Sequence, residues 1–255
     1  MKKFIITLTA IFICTNVHAE ILNINYMNED NTIYENGTCT IGGDLILPTP
    51  PTKRGYTFNG WMPADVQQIE YLESTGTQWI DTGYYPDKYT GVNTKFENDT
   101  VSNDTSAFGT LKSNGSCRFQ TFVWDKKIYF SLNSTSVIVP GALEGDIVEL
   151  DWNNGNIKFK INNSDYKTAH FNVSDFVPVK HLCLFTSCRD DMGIVSGKGT
   201  IKLYYFKIYD NDVLVRDMIP VLDGEGVPCM YDRVEKKFYY NAGTGQFVAG
   251  PVIGE

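Results

Sequence analysis

Histidine is nearly absent from this 255-residue chain, with 3 in all, and only His170 and His181 lie beyond the first 19 residues. Neither stands in a Cys-x-x-Cys or His-x-x-x-His spacing, so a transition-metal site is not expected. Neither is accompanied by a Gly-x-Ser-x-Gly elbow, which leaves Ser-His-Asp and Cys-His chemistry without a nucleophile signature. Both read as surface or packing residues. Long apolar runs are lacking too. The best, Phe4 to Cys14, has about eleven residues against the ~20 that a helix needs to cross a bilayer, so no transmembrane segment is expected. Positive charge is also in deficit, with 22 Lys and Arg against 30 Asp and Glu. A chain of that sign repels phosphate backbones and anionic lipid heads, which excludes nucleic acid as a partner.

The short apolar run has a different meaning. Lys2 and Lys3 precede it and Val17-His18-Ala19 supplies small residues before Glu20, the arrangement of a secretory signal peptide over residues 1–19. Cys14 follows Ile13, not the Gly or Ala that lipid attachment uses, and reads as part of the signal. The mature chain expected from Glu20 then holds 20 basic and 30 acidic residues, and the protein is expected outside the cytoplasm, at the surface, in the medium or in the periplasm.

Five cysteines remain beyond the signal, Cys39, Cys117, Cys183, Cys188 and Cys229, an odd number in a compartment that permits disulfides. Cys183 and Cys188 fall in one expected strand, which would hold their Cα atoms roughly 16 Å apart, too far to bridge. They are expected not to pair with each other.

Thirty-four aromatic residues (4 Trp, 15 Tyr and 15 Phe) supply a core and favour pleated sheet. The length fits one small β unit and one large one. From Ile21 to Trp61 the pattern is strand, polar turn and short strand. Leu47-Pro48-Thr49-Pro50-Pro51-Thr52 and Arg54-Gly55-Tyr56-Thr57-Phe58-Asn59-Gly60-Trp61 follow. This stretch resembles the Listeria-Bacteroides repeat, the internalin B-type repeat, which implies a small β-grasp-like domain over residues 20–63 with the aromatics in its core. Met62-Pro63-Ala64-Asp65 breaks the pattern and is expected to be a junction.

Beyond it, short apolar runs alternate with turn residues: Gln78 to Tyr84, Val92 to Phe96, Phe108 to Lys112, Cys117 to Trp124, Ile128 to Asn133, Ile147 to Trp152, Ile157 to Ile161, Leu182 to Cys188, Thr200 to Tyr209 and Val213 to Pro220. Regular short strands without helical periodicity predict an all-β sandwich. Asn154-Gly155 predicts a type I′ hairpin, and the alternation around Trp152 puts that ring in the core. Ile69-Glu70-Tyr71-Leu72-Glu73-Ser74-Thr75-Gly76-Thr77-Gln78-Trp79-Ile80-Asp81-Thr82-Gly83 at one end has counterparts at the other in Lys202 to Tyr209, Val215 to Pro220, Tyr231-Asp232, Lys237-Phe238-Tyr239 and Asn241-Ala242-Gly243-Thr244-Gly245. Together these resemble the laminin G-like, concanavalin A-like domains of bacterial surface and phage-tail proteins. The resemblance implies an antiparallel jelly roll over residues 67–252 whose first and last strands pair.

Three constellations bear on chemistry. Glu144-Gly145-Asp146-Ile147-Val148-Glu149 resembles the Glu-x-Asp-x-x-Glu strand of laminarinase-type glycoside hydrolases, which implies Glu144 as nucleophile and Glu149 as acid/base. Gly145 replaces the family's bulky residue, and Pro140-Gly141 predicts a turn at Glu144; no catalytic residue is expected. Arg189-Asp190-Asp191-Met192-Gly193 offers oxygens to Ca²⁺, but too few for the 6 to 8 that it takes, so no cofactor is expected. Trp124 and Tyr129 bracket Asp125-Lys126-Lys127, read as a turn, and form the candidate ligand platform, with a cross-strand structural pair as the alternative. The expected function is surface recognition, with a glycan as ligand. A protein-protein or structural module without a glycan site is the alternative, and a glycoside hydrolase the next.

Overall fold

The computed structural model describes residues 9–11, 21–27, 33–40, 47–50, 52, 62–63, 65–100, 104–172, 175–178, 180–190 and 199–253. The chain divides into two compact units, Met1–Gln67 with Gly254–Glu255, and Gln68–Ile253. Every regular element among the described residues is a β-strand.

In the first unit, β1 (Thr9–Ile11), β2 (Ile21–Met27) and β3 (Ile33–Thr40) form an antiparallel sheet in that order. Asn25 lies opposite both Thr9 and Asn36. Thus β1 comes from the segment read as a signal peptide. Tyr26 is buried, and Gly37 leaves its ring room, since a Cβ at Gly37 would stand 3.0 Å from the Tyr26 Cε2. The repeat-type motif from Arg54 to Trp61 lies outside the described residues.

The remaining strands are β4 (Gln67–Gln68), β5 (Leu72–Thr75), β6 (Ile80–Asp81), β7 (Thr90–Asn98), β8 (Thr105–Leu111), β9 (Arg118–Trp124) and β10 (Lys127–Asn133), followed by β11 (Thr135–Pro140), β12 (Asp146–Asn153), β13 (Asn156–Ile161) and β14 (Lys167–His170). After these come β15 (Cys183–Leu184), β16 (Ser187–Arg189), β17 (Thr200–Asp210), β18 (Val213–Leu222), β19 (Pro228–Asp232), β20 (Lys237–Tyr239) and β21 (Val248–Ala249). A seven-stranded sheet runs β11-β10-β9-β8-β15-β6, with β16 also on β8. An eleven-stranded sheet runs β14-β13-β12-β7-β17-β18-β19-β20, with β4 on β18, β5 on β17 and β21 on β5.

Alternation puts one face of each sheet into a shared core. In β12, Val148, Leu150 and Trp152 are buried while Asp151 is exposed. Rings interlock between the sheets: Phe108 meets Phe206 at 5.1 Å, Phe130 meets Phe159 at 5.0 Å, and Trp152 stacks on Phe119 at 4.6 Å; Trp152 also stacks on Phe171, just beyond β14, at 5.4 Å. The second unit is therefore an antiparallel β-sandwich. Its hairpin at Asn154-Gly155 has both residues at positive φ, 46° and 76°, as a type I′ turn requires.

The two ends of the second unit meet. Leu72 lies opposite Ala249, and Ile69 bridges to Val252. The Asn241 Oδ1 accepts from the Trp79 N–H at 3.1 Å and from the Gly243 N–H at 2.8 Å. At Gly243 a Cβ would stand 2.0 Å from the Thr77 carbonyl oxygen, so only glycine fits. The two sequence stretches that carried the resemblance are thus two sides of one closure.

One expectation is overturned. Cys183 and Cys188 form a disulfide with Cα atoms 5.8 Å apart. The run from Leu182 to Cys188 is not one strand: β15 lies antiparallel to β8, the chain reverses at Phe185, whose φ is 64°, and β16 returns parallel to β8. Cys183 and Ser187 both stand opposite Gly109. The reversal shortens the span that extended geometry would impose. Cys39, Cys117 and Cys229 are free thiols.

Candidate functional site

Two outward-facing surfaces of the sandwich carry side chains suited to a ligand. The first is on the seven-stranded sheet. Asp125 and Lys126, at φ 48° and 55°, form a two-residue turn, so Lys127 belongs to β10 and lies opposite Trp124. The three-residue turn expected from the sequence is therefore one residue shorter, and Trp124 and Tyr129 are not directly opposed. Tyr129 instead faces Phe122 across the strands, and the two rings stack at 4.6 Å and 12°. Ile138 of β11 stands on the other side of Tyr129. Because Ile128 and Phe130 point into the core, Tyr129 points away from it. Phe122, Tyr129 and Ile138 thus make one outer row, with Trp124 diagonal to Tyr129; Trp124 is 46% and Ile138 52% exposed.

Beside that row lies a polar one. The Ser187 hydroxyl oxygen lies 3.0 Å from Ser106 Oγ and 3.2 Å from Gln120 Oε1, within hydrogen-bond reach of both, and the Ser131 and Ser136 hydroxyls meet at 2.7 Å. Ser106, Gln120, Ser131 and Ser187 are buried while Ser136 is exposed, and their mutual hydrogen bonds fix the face rather than leaving it free to rearrange.

A shallow groove, open to solvent, is the second surface. It lies on the outer face of the eleven-stranded sheet and is lined by Asn93, Glu149, Asp151, Lys158, Tyr166 and Tyr205. Asn93 and Asp151 are directly opposed across β7 and β12, and Lys158 follows opposite Asp151 on β13. A bulge in β17 between Leu203 and Tyr205 leaves Tyr204 and Tyr205 both half-exposed, whereas strict alternation would bury one of them. Tyr204 donates to Glu97 at 2.8 Å, and Tyr205 turns to the groove, where burial first and then the nearby Glu149 push its phenol up to about 12. At the opposite wall, the Lys158 and Lys160 ammonium groups sit 4.6 and 5.1 Å from the Tyr166 ring centroid, and the Tyr166 hydroxyl donates to Glu149 Oε2 at 3.1 Å.

The two carboxylates weighed for hydrolysis lie apart in role. Glu144 is exposed in the turn before β12, next to Gly145 at φ 81°, while Glu149 is held by Lys160 at 3.0 Å and by Tyr166. Asp146 between them is buried and accepts from the Leu143 N–H and the Asn162 amide, both at 2.8 Å. His181 Nδ1 is 2.9 Å from Asp81 with Tyr85 against its ring, and His170 Nδ1 is 3.0 Å from Asn156. Among the described residues no group of three or more His, Cys, Asp or Glu could hold a metal ion. Asp190 accepts from the Ser113 N–H at 2.7 Å, and Asp191 to Gly193 lie outside the described residues. Among the described residues no helix is long and apolar enough to cross a membrane.

Compared with known proteins, residues 23–81 match the Listeria-Bacteroides repeat domain. The match begins in β2 and runs beyond residue 63, where the sequence pattern placed the end of the unit, to the end of β6. No curated protein matches the chain. The chain therefore carries a region similar to the Listeria-Bacteroides repeat, whose last residues overlap the start of an antiparallel β-sandwich.

Proposed function

We propose that this is an exported recognition protein of the bacterial surface, in which a concanavalin A-like jelly roll binds glycan through the outer row of Trp124, Phe122 and Tyr129. The repeat-type region suggests a bacterial surface protein. The observation that carries the glycan reading is the exposure of Trp124 beside the stacked Phe122–Tyr129 pair on one rigid sheet face. Flat aromatic faces suit the apolar faces of sugar rings, and polar neighbours set their orientation. The module acts by binding rather than by hydrolysis. A retaining mechanism needs two free carboxyl groups roughly 5 to 5.5 Å apart, whereas Glu149 is already engaged by Lys160 and Tyr166. No metal or other cofactor is needed for this reading.

A glycan array probed with the full chain and with Trp124→Ala is the decisive experiment: binding by the first that is lost in the second supports the reading. A protein partner is the second reading, favoured by the edge strand β11, Thr135-Ser136-Val137-Ile138-Val139-Pro140, which carries no charge and exposes Ile138. An array without signal, together with capture of a surface protein that Ile138→Lys abolishes, would favour it.

A further inference from the structure

We propose that the groove on the eleven-stranded sheet is a second binding site, for a single uncharged sugar unit presenting two adjacent hydroxyls, separate from the aromatic row of the other sheet.

The groove side chains divide into those already committed to partners and those left open. Glu149 is taken by Lys160 and by the Tyr166 hydroxyl. The Asp151 carboxylate and the Asn93 amide are directly opposed on neighbouring strands, and among the described residues neither side chain makes a hydrogen bond. A paired amide and carboxylate on adjacent strands, about 5 Å apart at Cα, suit neighbouring hydroxyls on a ring. One hydroxyl donates to the carboxylate, and the other accepts from the amide N–H. Lys158, opposite Asp151, adds a further donor. Tyr205 and Tyr166 also line the groove, and aromatic surface of this kind suits the C–H side of a pyranose.

Charge decides the class. With Glu149 neutralised by Lys160, the floor carries Asp151 against Lys158, so a uronate would meet the carboxylate and a cation would meet the ammonium. An uncharged polyol meets neither opposition. The walls are also fixed in advance: Tyr166 is held by two ammonium groups and a carboxylate, and Tyr205 by the bulge in β17. Such preorganisation lowers the entropy cost of binding.

The test is a ¹H–¹⁵N titration of the full chain with the methyl glycosides of glucose, galactose, mannose and N-acetylglucosamine, with methyl glucuronoside and cyclohexanol as controls. At least one neutral glycoside is expected to shift amides of β7 and β12 around Asn93 and Asp151, with affinity in the millimolar range. Neither control should do so. Asp151→Asn, an isosteric change at an exposed position, should weaken that binding about ten-fold or more, as loss of a charge-assisted hydrogen bond does. Asn93→Ala should weaken it too, and Trp124→Ala should leave it unchanged. If no neutral glycoside shifts these amides, or if Asp151→Asn binds as tightly as the wild type, the site does not exist. Shifts confined to β9 and β10 would overturn this inference while supporting the aromatic row.

Discussion

Gln78 and Gln246 lie 168 positions apart, yet the side-chain amide of the first donates to the backbone carbonyl of the second at 2.9 Å. The same side chain accepts from the Thr75 N–H at 2.8 Å, and it is 95% buried. It therefore joins the first turn of the sandwich to its last segment, one of several bonds that close the two ends on each other.

Gln78→Ala should consequently cost about 3 kcal/mol, since it removes two part-buried hydrogen bonds worth about 0.5 to 1.5 kcal/mol each and empties the space of a buried side chain. For a unit of this size that is a fall in Tm of roughly 6 to 12 °C. Gln78→Glu keeps the acceptor for Thr75 and loses the donor to Gln246, so it should fall less at a pH where a carboxylate is charged only in part. Thermal melts of the three proteins decide the matter; a Tm for Gln78→Ala within a degree of wild type would remove Gln78 from the closure.

The thiols give a second prediction. Trypsin releases His181–Arg189, which contains Cys183 and Cys188, and without reduction this peptide should resist alkylation and weigh two hydrogens less than its reduced form. Recovery of the doubly alkylated peptide from unreduced, exported protein would contradict the pairing seen in the fold.

Cys229 gives a pH-dependent one. Its side chain is fully buried, and burial pushes the thiol up to about 12. An unfolded cysteine ionises near 8.5. Below that pH both states are neutral and the group has no effect; above it the unfolded chain gains a thiolate that the fold resists, so stability falls by at most ~1.4 kcal/mol per pH unit up to the folded value. Denaturant midpoints at pH 8 and pH 10 should therefore drop further for wild type than for Cys229→Ala. Equal drops would mean that the thiol titrates normally in the fold.

Catalysis provides the fourth. The full chain should release no reducing ends from β-glucans, because Glu149 is engaged by Lys160 and Tyr166 while Glu144 sits in an exposed turn. A reducing-sugar assay checks this, and activity that disappears in Glu149→Gln would reinstate the hydrolase reading.

Much of the sandwich was legible because period-two alternation and turn chemistry act locally. The strand ending at Trp152, the Asn154-Gly155 turn and the strand from Ile157 each follow from a handful of neighbours. The disulfide was not legible for the complementary reason. Periodicity reads Leu182 to Cys188 as continuous, and the reversal depends on Phe185 adopting a positive φ that no glycine or asparagine announces. The groove was missed because its walls come from β7, β12, β13, β17 and the loop after β13, and only pairing brings Asn93 to Asp151. One signal did exist. Leu203 and Phe206 are both buried three positions apart, a break in alternation that marks the bulge placing Tyr205 outward.

Trp124 and Tyr129 should behave differently from each other, although both belong to the proposed glycan row. Trp124 is 46% exposed, lies at the end of β9 beside the turn, and faces Lys127 across the hairpin. Cutting it to Ala removes a stacking surface worth on the order of 1 kcal/mol to a bound sugar, and should barely change Tm, as surface substitutions usually do. Tyr129 is half-buried and stacks on Phe122 at 4.6 Å, a pairing worth about 0.5 to 1.5 kcal/mol beyond its buried area. Tyr129→Ala should thus lower both affinity and Tm, whereas Tyr129→Phe should restore Tm, and affinity as well unless the hydroxyl contacts the glycan. Measuring melting and glycan affinity on these variants separates a platform from a cross-strand brace. If Trp124→Ala binds as well as wild type while Tyr129→Ala only melts earlier, the row is structural and the glycan reading of this face fails.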